Sequence, residues 1–269
     1  MNYILFDGPF RNNLLPFTYT RPVADIRIGI LTIREKWESY LGKVITTVTE
    51  DYLSDKFPMV EMEINIMINA SYLPNAELVA MIQALEDNQA IFHNEQVIAF
   101  YSKEQQEIEN FNDFEAIEYN AECLIIENNW DIFAKNESAI QDDFELITNN
   151  RKSQPIPSTV NVINAENIFI EPGAQLNFVT LNASSGPIYI GRDTEIMEGS
   201  IIRGPFALCD HAIVKMGAKI YGATTIGPHC RVGGEVNNSV MFGYSNKGHD
   251  GFLGNSVLGE WCNLGADTN

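Results

Sequence analysis

From Ile190 to Val232 an aliphatic residue returns at every sixth position: Ile190, Ile196, Ile202, Leu208, Val214, Ile220, Ile226 and Val232. Four places after each stands a small or apolar residue, Thr194, Ser200, Phe206, Ala212, Ala218, Thr224, Cys230 and Val236. An amphipathic helix needs a period near 3.6 and a half-buried strand a period of two, so a strict six fits neither. Repetition at that fixed spacing is the mark of a solenoid. With three hexapeptides to a coil it predicts a parallel β-helix of five to six coils. The rhythm breaks twice. Ile170 and Leu176 are in frame with each other, but residues 182–187 leave Ile190 two places out of step. Phe252, Leu258 and Leu264 resume the spacing, again two places out of step with Val232. Between them, 237–251 reads as a polar loop expelled from the coil, and a loop that forfeits core contacts is where chemistry is expected.

The first half alternates between the two shorter periods. Tyr3-Ile4-Leu5-Phe6 is an apolar run stopped by Asp7-Gly8-Pro9, a strand and a turn. Ile30, Ile33, Trp37, Tyr40 and Leu41 recur at helical spacing with Gly42 just beyond. Residues 44–48 read as a strand, 64–68 as another, and Leu78, Met81, Ile82 and Leu85 make one face of a helix over 74–87. Residues 89–92 and 96–101 flank His93-Asn94-Glu95 as a β-hairpin, and 123–126 reads as a further strand. Trp130, Phe133, Ile140, Phe144 and Leu146 predict a closing helical segment before a charged, proline-containing linker at 149–157. The expected domains are therefore 1–152, α/β, and 153–269, the β-helix.

Charge and cysteine usage narrow the partners. Lys plus Arg number 17 against 36 Asp plus Glu, a formal net charge of −19, which argues against nucleic acid or an anionic membrane surface. Any phosphate must be met by a few local basic groups. The four cysteines form no CxxC pair, and Cys230 and Cys262 fall on the small-residue column, so packed, inward thiols of a reducing cytosol are expected. No apolar run approaches a membrane span and no signal peptide opens the chain, so a cytoplasmic location is expected. The solenoid reaches Asn269 without a capping coil, from which a continuation of the chain is expected.

An α/β domain whose first strand enters a loop, followed by hexapeptides, resembles the GlmU family. That family joins an N-acetylglucosamine-1-phosphate uridyltransferase to a glucosamine-1-phosphate N-acetyltransferase. Leu14-Leu15-Pro16-Phe17-Thr18 with Arg21-Pro22 is similar to its L-x-P-L-T and P-K segments, and Asn69-Ala70-Ser71 stands where it has N-G-D. The departures are chemical. The loop keeps one glycine, Val23 replaces the lysine, and Ser71 replaces the metal aspartate. Arg11, Arg21 or Arg27 could hold phosphates instead, and Asp7 or Asp25 could hold Mg²⁺, if that domain is active on UTP.

In the second half, residues 249–268 resemble the family's H-x-x-Y-L-G-x-x-x-I-G-x-x-x-N-I-G-A-G-T in uninterrupted register. The resemblance makes His249 the general base, Asn263 a sugar-phosphate contact and Ala266 a backbone contact to acetyl-CoA. Phe252 stands for the family's tyrosine and Asp267 for a glycine. Lys215-Met216-Gly217-Ala218 resembles R-P-G-A, whose arginine binds sugar phosphate, and the family's second lysine becomes Gly233, with Lys247 and Arg203 as basic residues that could compensate. The implied activity is acetyl transfer from acetyl-CoA to an amino sugar 1-phosphate, by a left-handed β-helix assembled as a homotrimer and needing no metal in that half. A fully bifunctional enzyme and a non-catalytic sugar-nucleotide-binding scaffold are the alternatives.

Overall fold

The structure is a computed structural model and describes residues 1–104 and 111–268. It divides into two compact units, one formed by 1–26 and 32–128, the other by 27–31 and 129–269. By packing, then, the division after the first sheet falls at Asn128, and the two helices that precede the linker belong with the β-helix.

The first unit is a six-stranded mixed sheet. Strands β1 (Asn2–Phe6), β2 (Thr46–Val48) and β3 (Ile64–Asn69) are parallel, with β1 between the other two. β4 (Gln89–His93) and β5 (Gln96–Lys103) form the hairpin, turned by Asn94 and Glu95 at φ of 47° and 65°. Two successive left-handed residues match the twist of the strands they join. β5 pairs antiparallel with β3, and β6 (Glu115–Glu118) adds parallel to β4 at the edge. Sequence periodicity did not reveal β6, because three of its four residues are exposed and two of the four are glutamates. The strand expected at 123–126 is only an isolated bridge between Ile125 and Tyr72.

Helix α1 (Ile33–Leu41) begins in a capping box, Thr32 Oγ accepting from Glu35 N–H while the Glu35 side chain accepts from Thr32 N–H, and it ends at Gly42 with φ of 65°. Both ends thus satisfy backbone groups a helix leaves open. Helix α2 (Ala76–Gln83) is capped by Asn75 and buries Leu78, Val79 and Ile82.

The second unit is the β-helix, six coils of parallel strands arranged in three faces. One face is built by 161–163, 180–182, 201–203, 219–221, 235–237 and 252–254, the next by 168–170, 188–190, 206–208, 224–226 and the far halves of the last two long strands, Glu235–Gly243 and Phe252–Glu260. The third consists of two-residue strands ending at Asn246–Lys247. All eight aliphatic positions from Ile190 to Val232 and all eight small-column positions are buried, so both periodic columns line the interior.

Strands of the second face are buried on both sides, as the runs Ile-Phe-Ile, Ile-Tyr-Ile and Phe-Ala-Leu suggest. Their outward residues Phe169, Tyr189 and Ala207 are covered by Ile30, Leu31, Phe144 and Ile147. Those come from the short 27–31 segment and from helix α4 (Asn136–Thr148), which follows α3 (Asn129–Ala134). The segment is held by buried polar groups. Asp143 Oδ2 accepts from the N–H of Ile30 at 2.7 Å and Leu31 at 3.0 Å, and Asn136 Oδ1 accepts from Gly29 N–H at 2.7 Å.

The end of the solenoid corrects the expected loop. Residues 237–251 are not expelled from the coil. Asn237 to Gly243 continue a strand and Asn246–Lys247 form the next, leaving 248–251 as the turn. The coil shortens at the corners, and on the first face of the last coil the inward residue is Leu253, paired with Val236, while Phe252 pairs with Glu235 and is 65% exposed; Leu258 and Leu264 pack on the core as the spacing expects. The same change of frame leaves Cys262 exposed, against the expected inward thiol.

Candidate functional site

Two clefts hold part of the set of residues singled out by sequence. The first lies in the α/β unit where β1 ends. It has a volume of about 520 Å³ and is lined by Asp7, Gly8, Arg11, Thr49, Glu50 and neighbours. Gly8 is there for space, since a Cβ would meet the Asn69 amide at 2.4 Å. Asp7 Oδ1 accepts from Val23 N–H at 2.7 Å, and Oδ2 from Thr49 Oγ1 at 2.6 Å and Arg11 Nε at 3.0 Å. Burial outweighs these bonds and holds the Asp7 carboxyl above the usual carboxylate range. Arg11 is equally committed. It donates to Thr18 O at 2.7 Å and Tyr52 Oη at 3.1 Å and lies 3.5 Å from Glu50. Arg21 is buried and does not line this cleft. Arg27 is buried in the other unit, where it donates to the carbonyls of Ile30 and Phe242.

These bonds bear on Mg²⁺. Asp7 spends both oxygens on protein donors, Asp25 is gripped by Arg34 at 3.0 and 2.8 Å, and Ser71 supplies no charge. Among the described residues no group of three His, Cys, Asp or Glu is arranged to hold an ion. The side chains in this arrangement do not fit Mg²⁺.

The second cleft, of about 560 Å³, lies on the last coils and is lined by Lys247, His249, Asp250, Phe252, Leu253, Leu264, Asp267 and Thr268 among others. Lys247 occupies a position that elsewhere on its face is Leu176, Ile196, Val214 and Val232, the inward aliphatic column. It is buried, which lowers its pKa, and its ammonium donates to the carbonyl of His249 at 2.6 Å. His249 itself is exposed beside Asp250, and its ring has no hydrogen-bond partner among the described residues. Asp267 has a φ of 60°, the left-handed region where the resembling motif has glycine, and Asp is one of the few side chains that tolerate it.

The other residues singled out in the second half lie outside this cleft. Asn263 sits on the outer side of the third face, accepting from Asn246 Nδ2 at 2.7 Å, and Ala266 is exposed; neither lines the cleft. Lys215 lies on the same corner as Gly233 and Gly248, one coil per step, hence about 10 Å from the turn that carries His249. A Cβ on Gly233 would meet Gly248 O at 2.8 Å and Lys215 Cβ at 3.1 Å, so the coil closes too tightly there for a lysine. Arg203 faces outward on the first face and lines a different cleft.

Sequence reasoning missed a ladder of rings. His211, His229, Tyr244 and Trp261 stack along one corner with centroids 4.7, 4.9 and 4.6 Å apart. All four have positive φ, between 52° and 60°. The 18-residue step from His211 to His229, one full coil, was the available signal.

An α/β unit with a parallel three-strand core, joined to a β-helix, defines a nucleotidyltransferase-like protein with a solenoid attached. The chain belongs to the sugar nucleotidyl transferase family, whose model matches residues 3–152. The match extends through α4 and stops before the repeats. A comparison with curated proteins gives no match. No described helix is long and apolar enough to cross a membrane.

Proposed function

We propose that the chain is an acyltransferase acting on an amino sugar phosphate, with acetyl-CoA as donor and His249 as general base. The observation that carries this reading is the second cleft. At one place the aliphatic wall of the solenoid gives way to a lysine, and the adjoining turn presents an unengaged imidazole. The acceptor amine attacks the thioester carbonyl as the free base. His249 takes its proton as the C–N bond forms, a backbone N–H steadies the oxyanion, and the C–S bond breaks to release the thiolate, which regains a proton. Lys215 supplies positive charge within the span of a sugar phosphate. As a point charge it gives up the bidentate grip of an arginine. Asn263 and Ala266 serve as sugar and acyl-donor contacts by their place in the resembling motif. The exposed Phe178, Met216 and Phe252 favour a homotrimer, whose interfaces would cover them.

The family of the N-terminal domain favours a second activity, nucleotidyl transfer from UTP. The engagement of Asp7 and Arg11 with their neighbours weighs against it and for a domain that keeps its fold and binds without turnover.

The test is release of thiol from acetyl-CoA in the presence of glucosamine 1-phosphate, by the wild type and His249→Ala. A positioned general base contributes roughly 10²- to 10⁴-fold, so a fall of at least about a hundredfold is expected. Equal rates would remove His249 from the mechanism. Turnover of UTP with N-acetylglucosamine 1-phosphate would restore the first cleft to catalysis.

A further inference from the structure

A third cleft, of about 660 Å³, lies on the first face of the solenoid and shares no lining residue with the other two. Its floor is a square of outward side chains from adjacent coils. Ile201 pairs with Lys219, and in the same register Arg203 lies beside Tyr221. Strands of neighbouring coils are about 4.8 Å apart and alternate residues about 6.6 Å, so Arg203 and Lys219 stand diagonally at roughly 8 Å between Cα atoms. Both are exposed, and neither has an ion pair or side-chain hydrogen bond among the described residues. In a chain of net charge −19, two uncommitted cations sharing a cleft are a local exception. The nearby acids do not neutralise them. Glu235, the register neighbour of Lys219, turns its carboxylate to accept from the Tyr221 hydroxyl and does not line the cleft. Glu137 stands at the rim without a salt bridge to either cation.

The remaining wall is apolar. Ile201 is 54% exposed, an unusual position for an isoleucine, and Pro205 and Ala223 continue its surface. Tyr221, with its hydroxyl tied to Glu235, offers a fixed ring. Guanidinium and ammonium groups are suited to phosphate oxygens, and a flat ring beside aliphatic side chains is suited to a planar heterocycle. The volume is that of a small-molecule site.

We propose that this cleft binds an organic phosphate of the nucleoside diphosphate class, its phosphates on Arg203 and Lys219 and its base against Tyr221 and Ile201. The site is independent of the acyl-transfer reading, sharing no residue with the cleft of His249.

Isothermal titration of the full chain with ADP, UDP, inorganic pyrophosphate and adenosine tests it. At least one nucleotide should saturate the wild type. The double variant Arg203→Gln/Lys219→Gln should weaken that binding at least tenfold, and Ile201→Glu should weaken it at least as much, by removing the apolar contact with the base and by placing a carboxylate beside Lys219, its register partner. Pyrophosphate and adenosine, each half of the ligand, should bind more weakly than the nucleotide. All three positions are exposed, so melting temperatures should match the wild type and show that the loss is not unfolding. Saturation by neither nucleotide, or equal affinity in the double variant, would overturn the proposal. Pyrophosphate binding as tightly as the nucleotide would overturn the role of the apolar wall.

Discussion

The ammonium of Lys247 donates a 2.6 Å hydrogen bond to the backbone carbonyl of His249 from a position that the rest of its column gives to aliphatic residues. A buried cation is tolerated only when its charge is compensated, and here a carbonyl and the nearby Asp250 do so.

Lys247→Met should therefore separate stability from placement of the turn. The folded-state pKa of Lys247 lies below its unfolded value of 10.5, because burial disfavours the charge. Between those two values the unfolded chain binds more protons, so the wild type gains stability relative to Lys247→Met as pH rises towards 10.5. Melting temperatures of both proteins from pH 8 to 10.5 should converge or cross in that sense. At neutral pH the variant should melt no lower than the wild type yet transfer acetyl groups more slowly.

Asp7 gives the opposite dependence. Its folded-state pKa is raised above 3.8 by burial, so the folded chain binds the extra proton just above that pH. Wild-type stability should fall relative to Asp7→Asn as pH rises from 3.8 through the raised value, which denaturation midpoints at closely spaced pH would show.

Two glycines with similar φ should respond differently to alanine. Gly42, at 65°, has open space where a Cβ would go, and Gly42→Ala should cost about 1 kcal/mol of left-handed strain. At Gly29, φ 72°, the Cβ would meet Asp143 Oδ2 at 2.5 Å and Ala139 O at 2.6 Å. Gly29→Ala must also disturb the bonds that hold 27–31, and should cost about 3 kcal/mol in urea denaturation.

The ring ladder should be cooperative about its middle. Tyr244 stacks on both His229 and Trp261, so Tyr244→Ala removes two contacts and should cost roughly 1–2 kcal/mol, against about half that for His211→Ala. Tyr244→Gly should recover up to about 1 kcal/mol of the loss, since its φ of 52° suits glycine.

Thiol reactivity checks the altered frame at the last coil. Cys262 is exposed and should react rapidly with a disulfide reagent, while Cys209 and Cys230 react only on unfolding. Burial pushes the Cys230 thiol up to about 12, which removes its thiolate at neutral pH.

The sequence by itself determined the solenoid between Ile190 and Val232, because each residue there makes contacts set by its position in a repeat. Six-residue spacing fixes which side chains face inward regardless of the rest of the chain. It determined α1 as well, where helical spacing from Ile33 to Leu41 ends at Gly42; the capping box of Thr32 and Glu35 that opens the helix came from the structure. What only tertiary structure decided are the places where spacing stops being the constraint. Corners that lose a residue moved Leu253 inward and Phe252 outward, and kept 237–243 and 246–247 in strands. Packing against the second face drew Gly29 to Leu31 and α4 into the solenoid's unit, through Asn136 and Asp143, polar residues whose partners lie 107 to 113 positions away. The commitment of Arg11 to Asp7, Thr18 and Tyr52, and the freedom of Arg203 and Lys219, are likewise matters of which neighbours the fold supplies, since an arginine in a sequence carries its charge but not its partner.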